Sequence, residues 1–166
     1  MLNFKKSFAY SLDYQTLDLR KHPELYRVGK GEQGVLLVQP YKSEILPYWR
    51  FKTPAIAYKS AKKIYQMFLE YKTKDDFIGM DMARKFLQMG MTRSLRYYHH
   101  KTGKKYLGPV PDDKKGQSGA HDRKIAPEDL DLKKKQCAEV FRAKYLAILD
   151  DKDYVKQRNE FKKKHG

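Results

Sequence analysis

The sequence contains a single cysteine, Cys137, among its 166 residues. One cysteine excludes an intramolecular disulfide and any zinc site built from several thiolates. The chain has no run of 18 apolar residues, which is about the length that a membrane-crossing helix needs. Its first six residues also lack an apolar stretch of signal-peptide length. We therefore expect a cytoplasmic protein with no membrane association.

Signatures of cofactor binding and catalysis are scarce as well. None of the five histidines forms an H-E-x-x-H or H-x-x-x-H pair, the usual zinc-binding spacing on a helix. Residues 116–119 lack the Gly-Lys-Ser/Thr ending of a phosphate-binding loop. We predict no cofactor, no metal and no complete set of catalytic residues, which argues against an enzyme without excluding one.

Positive charge is abundant. The chain carries 36 Lys and Arg against 20 Asp and Glu, a net charge of +16, while 40% of its residues are apolar and 13% aromatic. That apolar content is enough to form a core. A small domain stays dispersed with a net charge of only about 2–8, and a larger charge repels itself in the folded state. The excess therefore indicates an anionic partner.

The N-terminal third predicts a small β-sheet. Residues 26–28 and 35–39 resemble two strands, and glycines within 29–34 supply a turn between them. The alternating sequence at 48–52 predicts a third, shorter strand. The glycine spacing matches G-x-G-x-x-G, but a strand is expected to follow it, whereas a dinucleotide fingerprint opens a helix. We therefore interpret these glycines as a hairpin loop.

Two long helices are predicted next. Thr53 and Pro54 suit the N-cap and the first position of a helix that runs to about residue 72. The aspartates at 75–76 supply a second N-cap signal, for a helix that ends near His100.

A Gly- and Pro-containing basic loop is predicted at 102–126, and a loop of that length is typically functional or mobile. A helix beginning near Pro127 and a shorter one at 153–163 form a C-terminal pair. The prediction is thus one α+β domain over 1–166, mainly helical, with a small N-terminal hairpin sheet packed on two long helices and a mobile basic loop.

The basic residues concentrate in one stretch. Residues 84–105 contain seven Lys and Arg and no Asp or Glu, and Tyr97 and Tyr98 interleave the charge. Basic side chains along a helix match phosphates, long polar ones reach base edges, and tyrosines stack on bases. The residues predicted to contact nucleic acid are Arg84, Lys85, Gln88, Arg93, Arg96, Lys101, Lys104 and Lys105, with Arg50, Lys52, Lys62 and Lys63 as flanking contacts.

Two alternatives remain open. Glu32, Glu44 and Asp81 are isolated acids in basic and aromatic surroundings. They predict structural ion pairs, or, in a shared cleft, a metal-dependent nuclease or other nucleic-acid-modifying enzyme. The basic helix also suits an adaptor that docks on an acidic host protein.

Three segments, residues 29–36, 49–52 and 79–90, resemble an uncharacterised domain-of-unknown-function family of small basic proteins from bacteria, fungi and tailed phages. The similarity extends over roughly residues 14–165. It brings no established activity, cofactor or catalytic residue to carry over, but it implies a cytosolic setting, and the phage members favour a role around DNA or host takeover. Nucleic acid, with DNA favoured over RNA, is therefore the predicted partner.

Overall fold

The computed structural model describes residues 8–117 and 119–166, and every regular element in them is helical. The α-helices are α1 (Tyr41–Ile45), α2 (Pro54–Thr73), α3 (Phe77–His99), α4 (Leu132–Leu149) and α5 (Lys152–His165). Short 3-10 turns occur at Pro23–Leu25, Leu46–Tyr48 and Asp112–Lys114. In the described residues, β-pairing is limited to an isolated antiparallel bridge between Tyr106 and Ile125.

The predicted α+β class is therefore wrong, because the N-terminal hairpin does not exist. Residues 31–37 form successive turns, and Gly29, Gly31 and Gly34 adopt positive φ angles of 69°, 61° and 78°. Glycine adopts this left-handed backbone conformation without a steric penalty. The three glycines therefore turn the chain back on itself and prevent an extended strand. The valines of this segment are nevertheless buried in the core. The apolar pattern therefore predicted burial correctly, but it did not predict the backbone conformation.

The third predicted strand, at 48–52, is also wrong. Its first residue ends a 3-10 turn, and the backbone groups that follow bond to helix side chains instead of to a neighbouring strand. The Arg50 backbone N–H donates to Ser60 Oγ at 3.0 Å, and the Phe51 carbonyl accepts from Lys134 Nζ at 2.8 Å. These bonds satisfy the extended segment without a sheet.

The two long helices follow the sequence signals. Thr53 Oγ1 accepts the Ile56 N–H at 3.2 Å and caps α2, and Asp76 Oδ1 accepts the Gly79 N–H at 3.1 Å and caps α3. The predicted start of the third long helix at Pro127 is too early. Asp131 caps α4 instead, so that helix begins at Leu132.

Helix α3 lies at the centre of the molecule, with α1, α2, α4 and α5 packed around it. Every residue from 77 to 87 is buried, including the charged ones. Two glycines allow neighbouring rings to approach its backbone. A Cβ on Gly79 would lie 2.3 Å from the Tyr71 ring, and one on Gly90 would lie 2.6 Å from the Phe141 ring of α4. The absence of a side chain at both positions thus sets the spacing of the helices.

We expect Gly90→Ala to lower the free energy of unfolding by about 1–3 kcal/mol, because the added methyl overpacks the contact with Phe141. This loss outweighs the helix propensity of alanine, which alone would favour the variant by about 1 kcal/mol. Urea denaturation monitored by circular dichroism measures the change. Gln136→Ala, on the exposed side of α4, is the control and should stay within about 0.5 kcal/mol of wild type. A Gly90→Ala variant as stable as wild type would contradict the close packing.

The long segment between α3 and α4 is tied at both ends. The Leu107 N–H donates to the Lys124 carbonyl at 2.8 Å, and the Ala126 N–H donates to the Lys105 carbonyl at 2.7 Å. The Asp129 N–H then bonds back to the last residue of α3, His99, at 2.8 Å. Its predicted mobility stays a prediction. Among residues 8–117 and 119–166, no helix combines the length and apolar content needed to cross a bilayer.

Candidate nucleic-acid interface

Two of the predicted contact residues are not on the surface. Arg84 is 4% exposed and Lys85 is fully buried, so neither reaches a phosphate in this fold. Both lie in the part of α3 that other elements surround on all sides. The prediction that they form a basic surface is wrong, because their charges are satisfied inside the protein.

A carboxylate at the centre of the molecule binds Arg84. Asp81 Oδ1 accepts from Arg84 Nη2 and from the Tyr154 hydroxyl, each at 2.7 Å, and Oδ2 accepts from the Tyr26 hydroxyl. Burial acts to raise the pKa of Asp81, but the positive charges of Arg84 and Lys85 outweigh it and hold that pKa below its ordinary range. Asp81 is therefore a structural ion-pair partner, as one of the two sequence interpretations predicted.

The other side of the Arg84 guanidinium is also occupied. Nη1 donates to the Gly31 carbonyl and, at 2.9 Å, to Gln88 Oε1. Gln88, a predicted base-reading side chain, is thus held by an internal hydrogen bond. The guanidinium fastens the glycine-rich turns to α3.

Lys85 completes this group, which we call the buried charge cluster (Tyr26, Asp81, Arg84, Lys85 and Tyr154). Its Nζ donates to the Gln33 carbonyl at 2.7 Å and lies over the Tyr26 ring, 4.8 Å from the centroid. Burial lowers the pKa of Lys85 to about 7; Asp81 opposes this shift and Arg84 adds to it. The interior thus contains an amine whose protonation state changes near neutral pH.

The three isolated acids do not share a cleft. Glu32 accepts from the Thr92 hydroxyl at 2.9 Å, whereas Glu44 forms a bidentate pair with Arg20 at 2.8 Å. Asp81 is buried within α3, eleven residues before Thr92, or about 16 Å along a helix. Within residues 8–117 and 119–166, no group of three or more His, Cys, Asp or Glu side chains is placed to hold a metal ion.

A surface groove does bring some of the predicted residues together. It has a volume of about 520 Å³ and lies where the segment at 49–52 passes the end of α3 and the start of α4. We call it the aromatic-basic groove, and its lining residues are Trp49, Arg50, Phe51, Lys52, Ile56, Tyr97 and Lys134. This lining comprises three aromatic rings, three cations, one aliphatic side chain and no acid.

The groove is held by contacts among its own residues. The Phe51 ring lies 5.0 Å from that of Trp49 and 6.0 Å from that of Tyr97, measured between centroids. Lys134 Nζ donates to the carbonyls of Phe51 and Lys52 at 2.8 and 3.2 Å, and lies 5.3 Å from the Phe51 ring centroid. These bonds fix the extended segment against α4 and place a cation beside the rings.

The sequence pattern did not indicate Lys134 as a contact residue. The available signal is the run of lysines at 133–135, which begins at the second residue of α4. The run alone does not show which of its members faces the groove. That depends on how α4 packs against α3, which the sequence pattern does not specify.

The remaining predicted residues lie around the groove or away from it. Arg93 and Arg96 are exposed on the last turns of α3, where Arg93 precedes Tyr97 by one helical turn. Three further predicted lysines are exposed in the loop after α3, namely Lys101, Lys104 and Lys105. Lys62 is exposed on α2.

Lys63 faces a different surface depression. It lies over the Tyr48 ring at 4.9 Å and lines a cavity of about 570 Å³. The charged residues of that cavity are Arg20, Lys63, Lys74, Glu44, Glu70 and Asp76. Because three acids balance three cations there, it is not a site for a polyanion. Lys63 is thus separated from the aromatic-basic groove.

Comparison with known proteins places the chain in a family. Residues 9–164 match the family model described as a domain of unknown function, DUF4385, and the chain belongs to that family. The resemblance expected from the sequence is confirmed at that level. Searches of curated proteins and of solved structures gave no match.

Proposed function

We propose that the protein binds nucleic acid through the aromatic-basic groove. The observation that carries this proposal is the composition of the groove: Arg50, Lys52 and Lys134 surround three aromatic rings with no acidic side chain in the lining. Cations bind phosphate oxygens, and aromatic rings contact bases and sugars. Both kinds of contact are available within one depression.

The rest of the surface supports this assignment. Arg93 and Arg96 extend positive charge along α3 from Tyr97, and the exposed lysines at 133 and 135 adjoin Lys134 in the sequence of α4. The net charge of +16 attracts a polyanion and speeds its association. We favour DNA over RNA on the resemblance described above, and the groove chemistry suits either.

The test is a titration of labelled DNA and RNA oligonucleotides, followed by fluorescence anisotropy at rising salt concentration. We expect the logarithm of the association constant to fall linearly with that of the salt concentration. The double variant Arg50→Ala/Lys52→Ala should reduce the steepness by about 1.4–1.8, because each phosphate contact contributes about 0.7–0.9. Its affinity at low salt should fall accordingly.

The matched control is Lys156→Ala/Lys163→Ala, which removes the same charge from exposed positions of α5. Helix α5 packs against the first half of α3, through contacts such as Phe77 with Phe161. The groove lies at the opposite end of α3. The control should bind with nearly wild-type salt dependence. Absence of binding to both DNA and RNA at low salt would contradict the proposal.

The same materials distinguish the two alternatives. Cleavage of the oligonucleotides in the presence of Mg²⁺ or Mn²⁺ would favour a nuclease. If no oligonucleotide binds, but an acidic protein is captured and stays bound after nuclease treatment, the adaptor alternative would be favoured.

A further inference from the structure

We infer that the ligand of the aromatic-basic groove is single-stranded nucleic acid, with an unpaired base packed against its aromatic rings. This inference rests on the proposed function and specifies its substrate class. It follows from two observations: the first half of α3 does not present a reading face to a duplex, and the groove offers ring surfaces that only an unpaired base can use.

The first observation concerns α3. A helix that reads duplex DNA inserts an exposed face into the major groove and reaches base edges with free polar side chains. Two of the residues predicted to form that face, Arg84 and Gln88, are bonded to each other, and Arg84 is also bonded to the buried Asp81. Their half of α3 is covered by α2, α4 and α5. This half of α3 therefore lacks the access that duplex reading requires.

The second observation is the ring surface. Trp49, Phe51 and Tyr97 are all partly exposed, and all line the groove. Stacking a base on an aromatic ring requires a free base face, and within a duplex both faces are covered by neighbouring base pairs. Such stacking contributes about 1–3 kcal/mol per base in proteins that bind single strands. A duplex would forgo this contribution in the groove.

The cations are arranged to hold a strand beside the rings. Lys134 is fixed by two carbonyl bonds, and an ammonium has three N–H donors, so a third is available to a phosphate oxygen. Arg50 and Lys52 are exposed and alternate with Trp49 and Phe51 along the extended segment. Rings and cations thus alternate at the spacing of neighbouring residues, which suits a strand whose bases and phosphates also alternate.

The chain contains one tryptophan, Trp49, so intrinsic tryptophan fluorescence reports on the groove alone. We would titrate the wild-type protein with three oligonucleotides of equal length: a mixed-sequence single strand, the duplex of that sequence, and an abasic single strand. Anisotropy of a labelled oligonucleotide gives the affinities, and the tryptophan emission gives the environment of the groove.

The single strand should bind at least about five-fold more tightly than the abasic strand, the effect of about 1 kcal/mol of stacking. It should also bind more tightly than the duplex at the same salt concentration, and it should quench the tryptophan. Tyr97→Leu should lower the affinity for the single strand by about five-fold or more and leave that for the abasic strand nearly unchanged. Tyr58→Leu, at an exposed site on α2, is the control and should leave both unchanged.

The outcomes separate this inference from the proposed function. If none of the three oligonucleotides binds, the proposed function is wrong. If all three bind but the duplex binds as tightly as the single strand, or the tryptophan emission does not change, the protein binds nucleic acid and the single-strand inference is wrong. The comparison on wild-type protein gives this answer even if Tyr97→Leu fails to fold.

Discussion

Asp81→Asn is expected to lower the free energy of unfolding by about 3–5 kcal/mol, the usual cost of removing one partner of a buried ion pair. The carboxylate is fully buried and accepts from Arg84, Tyr26 and Tyr154. Replacing it with an amide leaves the Arg84 guanidinium charged and uncompensated in the interior. Urea denaturation at neutral pH, followed by far-UV circular dichroism, measures the loss.

The control is an ion pair at the surface. Lys72 Nζ lies 3.4 Å from Asp153 Oδ2, and the Asp153 side chain is 64% exposed. Asp153→Asn should cost no more than about 1 kcal/mol, because solvent screens exposed pairs. If Asp81→Asn destabilised the protein no more than Asp153→Asn, the buried charge cluster would not be a main source of stability.

The second large effect concerns pH. The pKa of Lys85 is lowered by burial from its ordinary value of 10.5 to about 7. Between these two values the unfolded chain keeps a proton that the folded protein has released, so raising the pH favours the folded state. One such group contributes up to 1.36 kcal/mol per pH unit. From pH 7.5 to 9.5, the free energy of unfolding should therefore rise by about 2–3 kcal/mol from this residue.

Lys85→Met removes the titrating group, so its stability should change much less over the same range. Lys59→Met, at an exposed position of α2, is the control and should keep the wild-type slope. The measurement stays below pH 10 because Tyr26 and Tyr154 have pKa values raised by burial. Above pH 10 those tyrosines ionise in the unfolded chain and stability falls. An equal slope in Lys85→Met and wild type would show that Asp81 keeps the ammonium protonated throughout.

The sequence predicted the helices best where a single side chain marks the boundary. Thr53 and Asp76 cap α2 and α3 as expected, because capping is a local interaction between residues three positions apart. The hairpin prediction failed because strand propensity reports burial as much as backbone conformation. The carbonyls of the supposed hairpin bond to Arg84 and Lys85, distant partners that no local pattern reveals.

The same limit explains the misplaced basic residues. Arg84 and Lys85 were assigned to a surface because charged side chains are rarely buried without partners. One partner of Arg84, Tyr154, is 70 residues away, whereas its ion-pair partner Asp81 lies only three residues before it. One signal was available: apolar residues occupy all sides of α3 between 77 and 91, which is typical of a helix that is buried on every side.

Only part of the candidate groove can be predicted from the sequence. Arg50 and Lys52 alternate with two aromatic residues, and both cations are among the predicted flanking contacts. The addition of Tyr97 and Lys134 depends on the packing of α3 against α4. Their convergence is a tertiary property.

The buried charge cluster also has a consequence for the order in which the protein forms during synthesis. Asp81 bonds to Tyr26, 55 residues before it, and to Tyr154, 73 residues after it. While the ribosome is still making α4, the carboxylate lacks one of its donors and the central helix lacks the cover that α5 supplies. We therefore expect this part of the nascent chain to remain incompletely folded until α5 emerges, and then to fold as one cooperative unit.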